Sequence, residues 1–165
     1  MKRTTEEIQA AIDNVRRVFQ AINEYAKNSV IKTGLTAPQL WVLKILDKNA
    51  PIRVSELARR MFLHPATVVG ILDRLEGKGL VTRNRSKKDR RAVDLHLTDL
   101  GRDLVAKAPE VAQIMLLNGL DELSDEQFYR VAEGMKQVVK ILSAEQIVPQ
   151  PLQGLSSSQL ANADW

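Results

Sequence analysis

Between Val68 and Leu97 the spacing of apolar residues changes abruptly from that of a helix to that of a strand, and this switch constrains the fold more than any other feature. Val68, Ile71, Leu72 and Leu75 fall at i, i+3, i+4 and i+7, one stripe that must be buried against other elements. Gly77 and Gly79 end that helix. The segments LVTRNRS and AVDLHLT then flank a polar tip, and Val93, Leu95 and Leu97 alternate with Asp94 and His96, which predicts a β-hairpin. Upstream, SELARRM reads as a short helix with Ser55 as N-cap and Glu56 in its first turn. Phe62 to His64 form a tight connection, and Pro65 suits the first position of the next helix. Two short helices followed by a hairpin make a winged helix-turn-helix.

The helix over 65–76 has an unusual free face. Opposite the apolar stripe stand Ala66, Gly70, Asp73 and Gly77, flanked by Thr67, Val69 and Arg74. These side chains are mostly small, as suits a surface that another body approaches closely. Immediately after it come Lys78, Arg83, Arg85, Lys87, Lys88, Arg90 and Arg91, with Asp89 the single acid between 78 and 91. This segment carries a formal +6 in a chain whose total is +4, so the remaining residues sum to −2. A localised patch is what phosphate binding needs, and duplex DNA is the leading partner. The alternative is a solvated basic turn.

The rest of the chain is helical. Ile8, Ile12, Val15, Phe19 and Ile22 predict an amphipathic helix from about Thr5 to Ile31, ending before Gly34. Thr36 and Gln39 make a capping-box pattern for a second helix reaching about Asn49, and Ile52 to Val54 are a candidate short strand. Thr98 caps a fifth helix whose apolar face runs through Leu104, Val111 and Met115, with a kink or break expected near Ala108 because Pro109 lies inside it. Ser124 and Gln127 repeat the capping box before a sixth helix bearing Phe128, Val131, Met135, Val138 and Leu142. After Ala144 the chain is rich in Gln, Ser and Pro, and a mobile or loosely packed tail is expected. The fold class is thus mainly α with a small β-wing. The expected organisation is an N-terminal helical segment over 1–34, the winged helix-turn-helix over 35–101, C-terminal helices over 102–144 and a polar tail over 145–165.

The chain has no cysteine, which excludes disulfides, thiolate metal sites and thiol-based sensing. His64 and His96 lack further ligands at metal spacing and are expected at the surface or in caps. The N-terminus is too polar for a secretory signal, and no apolar run approaches the roughly twenty residues needed to span a bilayer, so a cytoplasmic location without membrane contact is expected. No glycine-rich phosphate loop, carboxylate cluster or nucleophile-base pair suggests an enzyme, and no cofactor is implied.

The segments LTAPQLWVLKIL, VSELARRM, HPATVVGILDRLEGKGLVTR and DRRAVDLHLTDLG together resemble the MarR family of bacterial transcriptional regulators. The wing is the most specific part, since Asp89, Arg91, Leu97, Thr98 and Gly101 fall on the family's pattern. The resemblance implies an obligate homodimer whose first, fifth and sixth helices interlock while two winged helices bind a pseudo-palindromic operator. It also implies that Asp89 pairs with an arginine of the wing and shapes the tip. For many relatives it implies release from DNA by a small aromatic or anionic effector, held where the dimer helices meet the reading head.

Roles for individual residues follow. Arg91 at the tip suits a narrow minor groove, where a guanidinium meets concentrated negative potential. Arg83, Arg85, Lys87, Lys88 and Arg90 are expected phosphate contacts. Pro65, Ala66 and Val69 are candidates for thymine methyls, Gly70 for close approach, and Thr67 and Arg74 for phosphate or base edges. Val69 and Gly70 stand where the family often has polar readers, and packing under the wing is an equal alternative for Val69. Tyr25 and Trp41 suit an effector pocket by their order in the chain, or the core. Pro109 is either a flexure or an inert kink. A winged helix used only for protein contacts remains the alternative function, disfavoured by the basic tip.

Overall fold

A computed structural model describes residues 2–87, 89 and 91–154. Its first helix, α1 (Thr5–Thr33), opens on a reciprocal cap: the Glu7 N–H donates to Thr4 Oγ1 at 3.2 Å and the Thr4 N–H to Glu7 Oε2 at 2.8 Å. Gly34, at φ 68°, ends it. Helix α2 (Ala37–Asn49) follows, with Gln39 Oε1 accepting from the Thr36 N–H at 3.1 Å. Leu40, Val42, Leu43 and Leu46 of α2 have no solvent exposure, and α2 touches α1, the hairpin and every head helix.

Strand β1 (Ile52–Arg53) leads directly into α3 (Val54–Met61). The expected N-cap, Ser55, is therefore already inside the helix, and Arg53 takes the cap position with no side-chain bond. Sheet pairing explains the shift. Ile52 and Arg53 are held opposite Leu95 and Asp94, so the extended backbone that precedes a helix is supplied by the strand itself. After a turn through Phe62, at φ 54°, His64 caps α4 (Pro65–Gly77), its Nδ1 accepting from the Ala66 N–H at 3.2 Å. Strands β2 (Val81–Arg85) and β3 (Val93–Leu97) complete an antiparallel sheet of order β1-β3-β2. Their register pairs Val81 with Leu97, Arg83 with Leu95, and Arg85 with Val93.

The hairpin is tied to α5 (Asp99–Ala106) by Thr98. Its N–H donates to the Leu80 carbonyl at 3.1 Å, its Oγ1 donates to the Gly79 carbonyl at 2.7 Å, and the same oxygen accepts from the Gly101 N–H at 3.0 Å. Pro109 breaks the helix outright: α5 stops at Ala106, and α6 (Ala112–Asp121) begins only after Val111, which plugs into the core. The last helix, α7 (Asp125–Ile141), carries the Ser124 capping box; it has no buried residue and makes no extensive contact with another element. Beyond it the described tail returns to α1, where Pro151, Leu152 and Gly154 are half-buried and Gly154 lies against Asn23 and Ala26. This stretch of the expected loose tail is therefore packed. Among the described residues no helix is long and apolar enough to cross a membrane.

Close packing at the hairpin base makes one glycine indispensable. A Cβ on Gly101 would collide with the Leu80 carbonyl oxygen and stand 3.2 Å from Leu97 Cδ2, whereas one on Gly70 would meet nothing within 4 Å. Gly101→Ala should cost about 1–3 kcal/mol of unfolding free energy. Gly70→Ala, in the open middle of a helix, should stabilise by about 0.5–1 kcal/mol. Urea unfolding of both variants checks the pair, and equal effects would contradict this packing.

Candidate nucleic-acid interface

The sheet and the core present α4 with its apolar stripe inward. Val68, Ile71, Leu72 and Leu75 are buried, while Pro65, Ala66, Val69, Gly70, Asp73 and Arg74 face solvent and Thr67 is half-buried. Val69 is 40% exposed and so is open to solvent on the outer face, while its carbonyl accepts from Arg83 of the hairpin. The outer face of the first two turns is thus small, nearly uncharged and unobstructed.

Beside it rises the wing. Arg85 and Lys87 are exposed along one side of the hairpin, and Arg91 is exposed at the tip. Lys88 and Arg90 lie outside the described residues. The tip is built around Asp89: its Oδ1 accepts from the Arg91 N–H at 3.0 Å, and the Ala92 N–H donates to its carbonyl at 2.8 Å. Its Oδ2 accepts from Arg53 Nη2 at 3.3 Å. Among the described residues, then, the arginine side chain that meets the Asp89 carboxylate is Arg53 of β1, while the wing's Arg91 meets it through its backbone N–H. The sequence offered no local hint of the contact between Arg53 and Asp89, because the two residues meet only once β1 has joined β3.

Arg83 is also placed differently from the other described wing cations, Arg85, Lys87 and Arg91. Alternation along β2 turns Val81, Arg83 and Arg85 to the side facing α4, and Arg83 is the one that meets the helix's carboxylates. Its Nη2 lies 2.6 Å from Asp73 Oδ1 and 3.4 Å from the Val69 carbonyl, and its Nη1 lies 3.1 Å from Glu76 Oε2. The expectation of a free phosphate contact does not fit a side chain only 26% exposed and held by three acceptors. Strand alternation, combined with two acids three residues apart on the free face of α4, was a readable signal for this cluster.

The two candidate pocket aromatics separate. Trp41, 2% exposed, lines a groove of about 610 Å³ bounded by α2, α3, α5 and α6, whereas Tyr25 is half-buried on α1 and is not among the lining residues. Lys44 and Lys48 continue the Trp41 edge at helical spacing, and Phe62 stands at the rim. Lys44 Nζ lies 3.4 Å from Glu110 Oε1, joining α2 to the linker that Pro109 interrupts. Arg59 and Arg60 also line the groove but share Glu56, and their hydrogen bonds, that of Arg59 foremost, hold the Glu56 carboxyl below the usual range. Among the described residues no group of His, Asp or Glu is arranged to hold a metal ion.

This architecture is shared with known proteins. The pattern that defines the MarR family matches residues 35–93. MdtR of Bacillus subtilis (strain 168), an HTH-type transcriptional repressor, is 35% identical over 119 residues, 72% of this chain and 77% of its own length. The crystal structure of the YusO protein from Bacillus subtilis has a TM-score of 0.54 at 31% identity, covering 84% of this chain and 99% of that one. The transcriptional repressor CouR, solved bound to a 23-mer DNA duplex, has a TM-score of 0.52 at 29% identity, covering 85% and 99%. The match to MdtR extends well beyond the reading head, and with the common fold it establishes that this chain belongs to the MarR family.

Proposed function

We propose that the chain is a homodimeric, sequence-specific DNA-binding transcriptional regulator, a repressor released from a pseudo-palindromic operator by a small aromatic anion. The observation that carries the DNA reading is the pairing of a bare, small-residue helix face on α4 with an exposed basic wing beside it. In this reading α4 enters the major groove, with Pro65, Ala66 and Val69 against thymine methyls and Gly70 permitting the backbone to approach. Thr67 and Arg74 flank these contacts. Arg91 enters the adjacent minor groove, and Arg85 and Lys87 bind phosphates. Repression follows the named roles of MdtR and CouR.

Dimerisation is supported by apolar surface that one chain leaves uncovered. Ile8, Ile12, Val15 and Phe19 form an exposed stripe on α1, and Phe128, Val131, Met135 and Val139 another on α7. A 17-residue helix with no buried residue is marginal in water, so α7 calls for a second surface, and a two-fold copy of the same chain would supply one. The effector reading rests on the groove beside Trp41. An aromatic ring would occupy the groove whose wall includes the edge of the buried Trp41, with its anionic group toward Lys44 and Lys48.

Binding to duplex DNA from upstream of the chain's own coding sequence should show a steep salt dependence and a preference over random duplex. Arg91→Ala should cost about 1–3 kcal/mol per site. Arg53→Gln and Asp89→Ala should both weaken binding, although they change the net charge in opposite directions, because each unfastens the tip. Tighter binding by Asp89→Ala in a filter or anisotropy assay would refute that role. Sedimentation should find a dimer at the lowest measurable concentration, and Phe19→Asp should dissociate it; a stable wild-type monomer contradicts the assembly. Benzoate should bind with measurable heat in calorimetry and weaken DNA binding, and Lys48→Gln should lose both effects. Unchanged DNA affinity at saturating benzoate would dismiss this effector class.

A further inference from the structure

The Arg83 cluster joins the two parts of the molecule that the DNA reading requires to act together. Its acceptors, the Val69 carbonyl, Asp73 and Glu76, lie at i, i+4 and i+7 along one edge of the exposed face of α4. The donor comes from the middle of β2, at the level where Arg83 pairs with Leu95 and the apolar interior of the sheet ends. The planar guanidinium fork spans both carboxylates at once, a geometry the single ammonium of lysine does not reproduce. The link is also electrostatically necessary. Without Arg83, two carboxylates, 57% and 41% exposed, would stand unneutralised on the helix face offered to a polyanion.

We propose that Arg83 is a positioning residue: by clamping β2 to Asp73 and Glu76 it sets the offset between the α4 reading face and the wing tip, so that Arg91 reaches its groove while α4 occupies the next. This rests on the DNA-binding reading above. It assigns Arg83 no phosphate and gives Asp73 and Glu76 a supporting role in binding despite their charge. Arg91 then contributes fully only when the clamp is closed.

The test compares affinity for the same upstream duplex, at several salt concentrations, for wild type, R83Q, R83K, D73N, R91A and R83Q/R91A, after thermal melts show each variant folded. A phosphate contact contributes about 0.9 to the slope of log affinity against log salt. The clamp predicts that R83Q binds about tenfold more weakly with that slope unchanged, and that R83K stays close to R83Q because it lacks the fork. D73N should weaken binding although it removes a negative charge. R91A should cost about tenfold per half-site in wild type but less than about threefold per half-site in the R83Q background, the non-additivity of coupled groups. A slope reduced by about one, R83K binding like wild type, D73N binding more tightly, or an undiminished R91A effect in R83Q would each overturn the clamp. D73N opens the same link if R83Q does not fold. Failure of wild type to bind duplex would defeat the functional reading instead, and the clamp is then judged by amide exchange. Faster exchange at Arg85 and Val93 in R83Q supports it, and unchanged exchange overturns it.

Discussion

Leu40, Val42, Leu43 and Leu46 of α2 are removed completely from water, and the apolar faces of α3, α4 and the hairpin close around them. Such an interior is packed to the density of an organic crystal, so its neighbours have little freedom to rotate or slide. This burial gives α4 its orientation. Val68, Leu72 and Leu75 can reach the common core only if Ala66, Val69, Gly70 and Asp73 face outward. The reading face is therefore a by-product of core packing, and its chemistry is whatever side chains occupy the positions the core does not use.

The wing depends on the same core through a different set of bonds. Leu95 and Leu97 anchor the sheet from beneath, while Thr98 closes its base on α5 with three hydrogen bonds. Farther from the core, packing gives way to charge. Arg83 meets Asp73 and Glu76 just beyond the apolar layer, and Arg53 meets Asp89 beyond that. Exposed pairs of this kind contribute little to stability. Their consequence is geometric, because they specify where a strand and a loop sit when no buried side chain can.

Much of this was legible in the sequence. The long helices, the Thr36 and Ser124 caps, the hairpin and the interruption at Pro109 follow from local periodicity and backbone stereochemistry, which act within a few residues. The errors have a common physical origin. Ser55 looked like an N-cap because its side chain suits one, yet pairing of Ile52 and Arg53 with β3 brought the helix forward by a turn's fraction. Asp89 was expected to pair with an arginine of the wing; Arg91 meets it through its backbone N–H, and the described side chain that pairs with it, Arg53, comes from β1. Arg83 was grouped with the other wing cations because composition does not reveal which face of a strand a residue occupies. Tyr25 and Trp41 were grouped by chain order, and only the packing of α2 against α3, α5 and α6 puts the indole alone on the groove.

By itself, the sequence determined where the chain is helical, where it turns to strand, which stripe of α4 must be buried and where positive charge is concentrated. All of these depend on contacts or periodicities close along the backbone. Only the tertiary structure decided how that charge divides, with Arg85, Lys87 and Arg91 exposed and Arg83 engaged by the helix it adjoins. Ion pairing depends on distances of a few ångströms between elements whose relative placement the core sets, and sequence spacing carries no record of those distances.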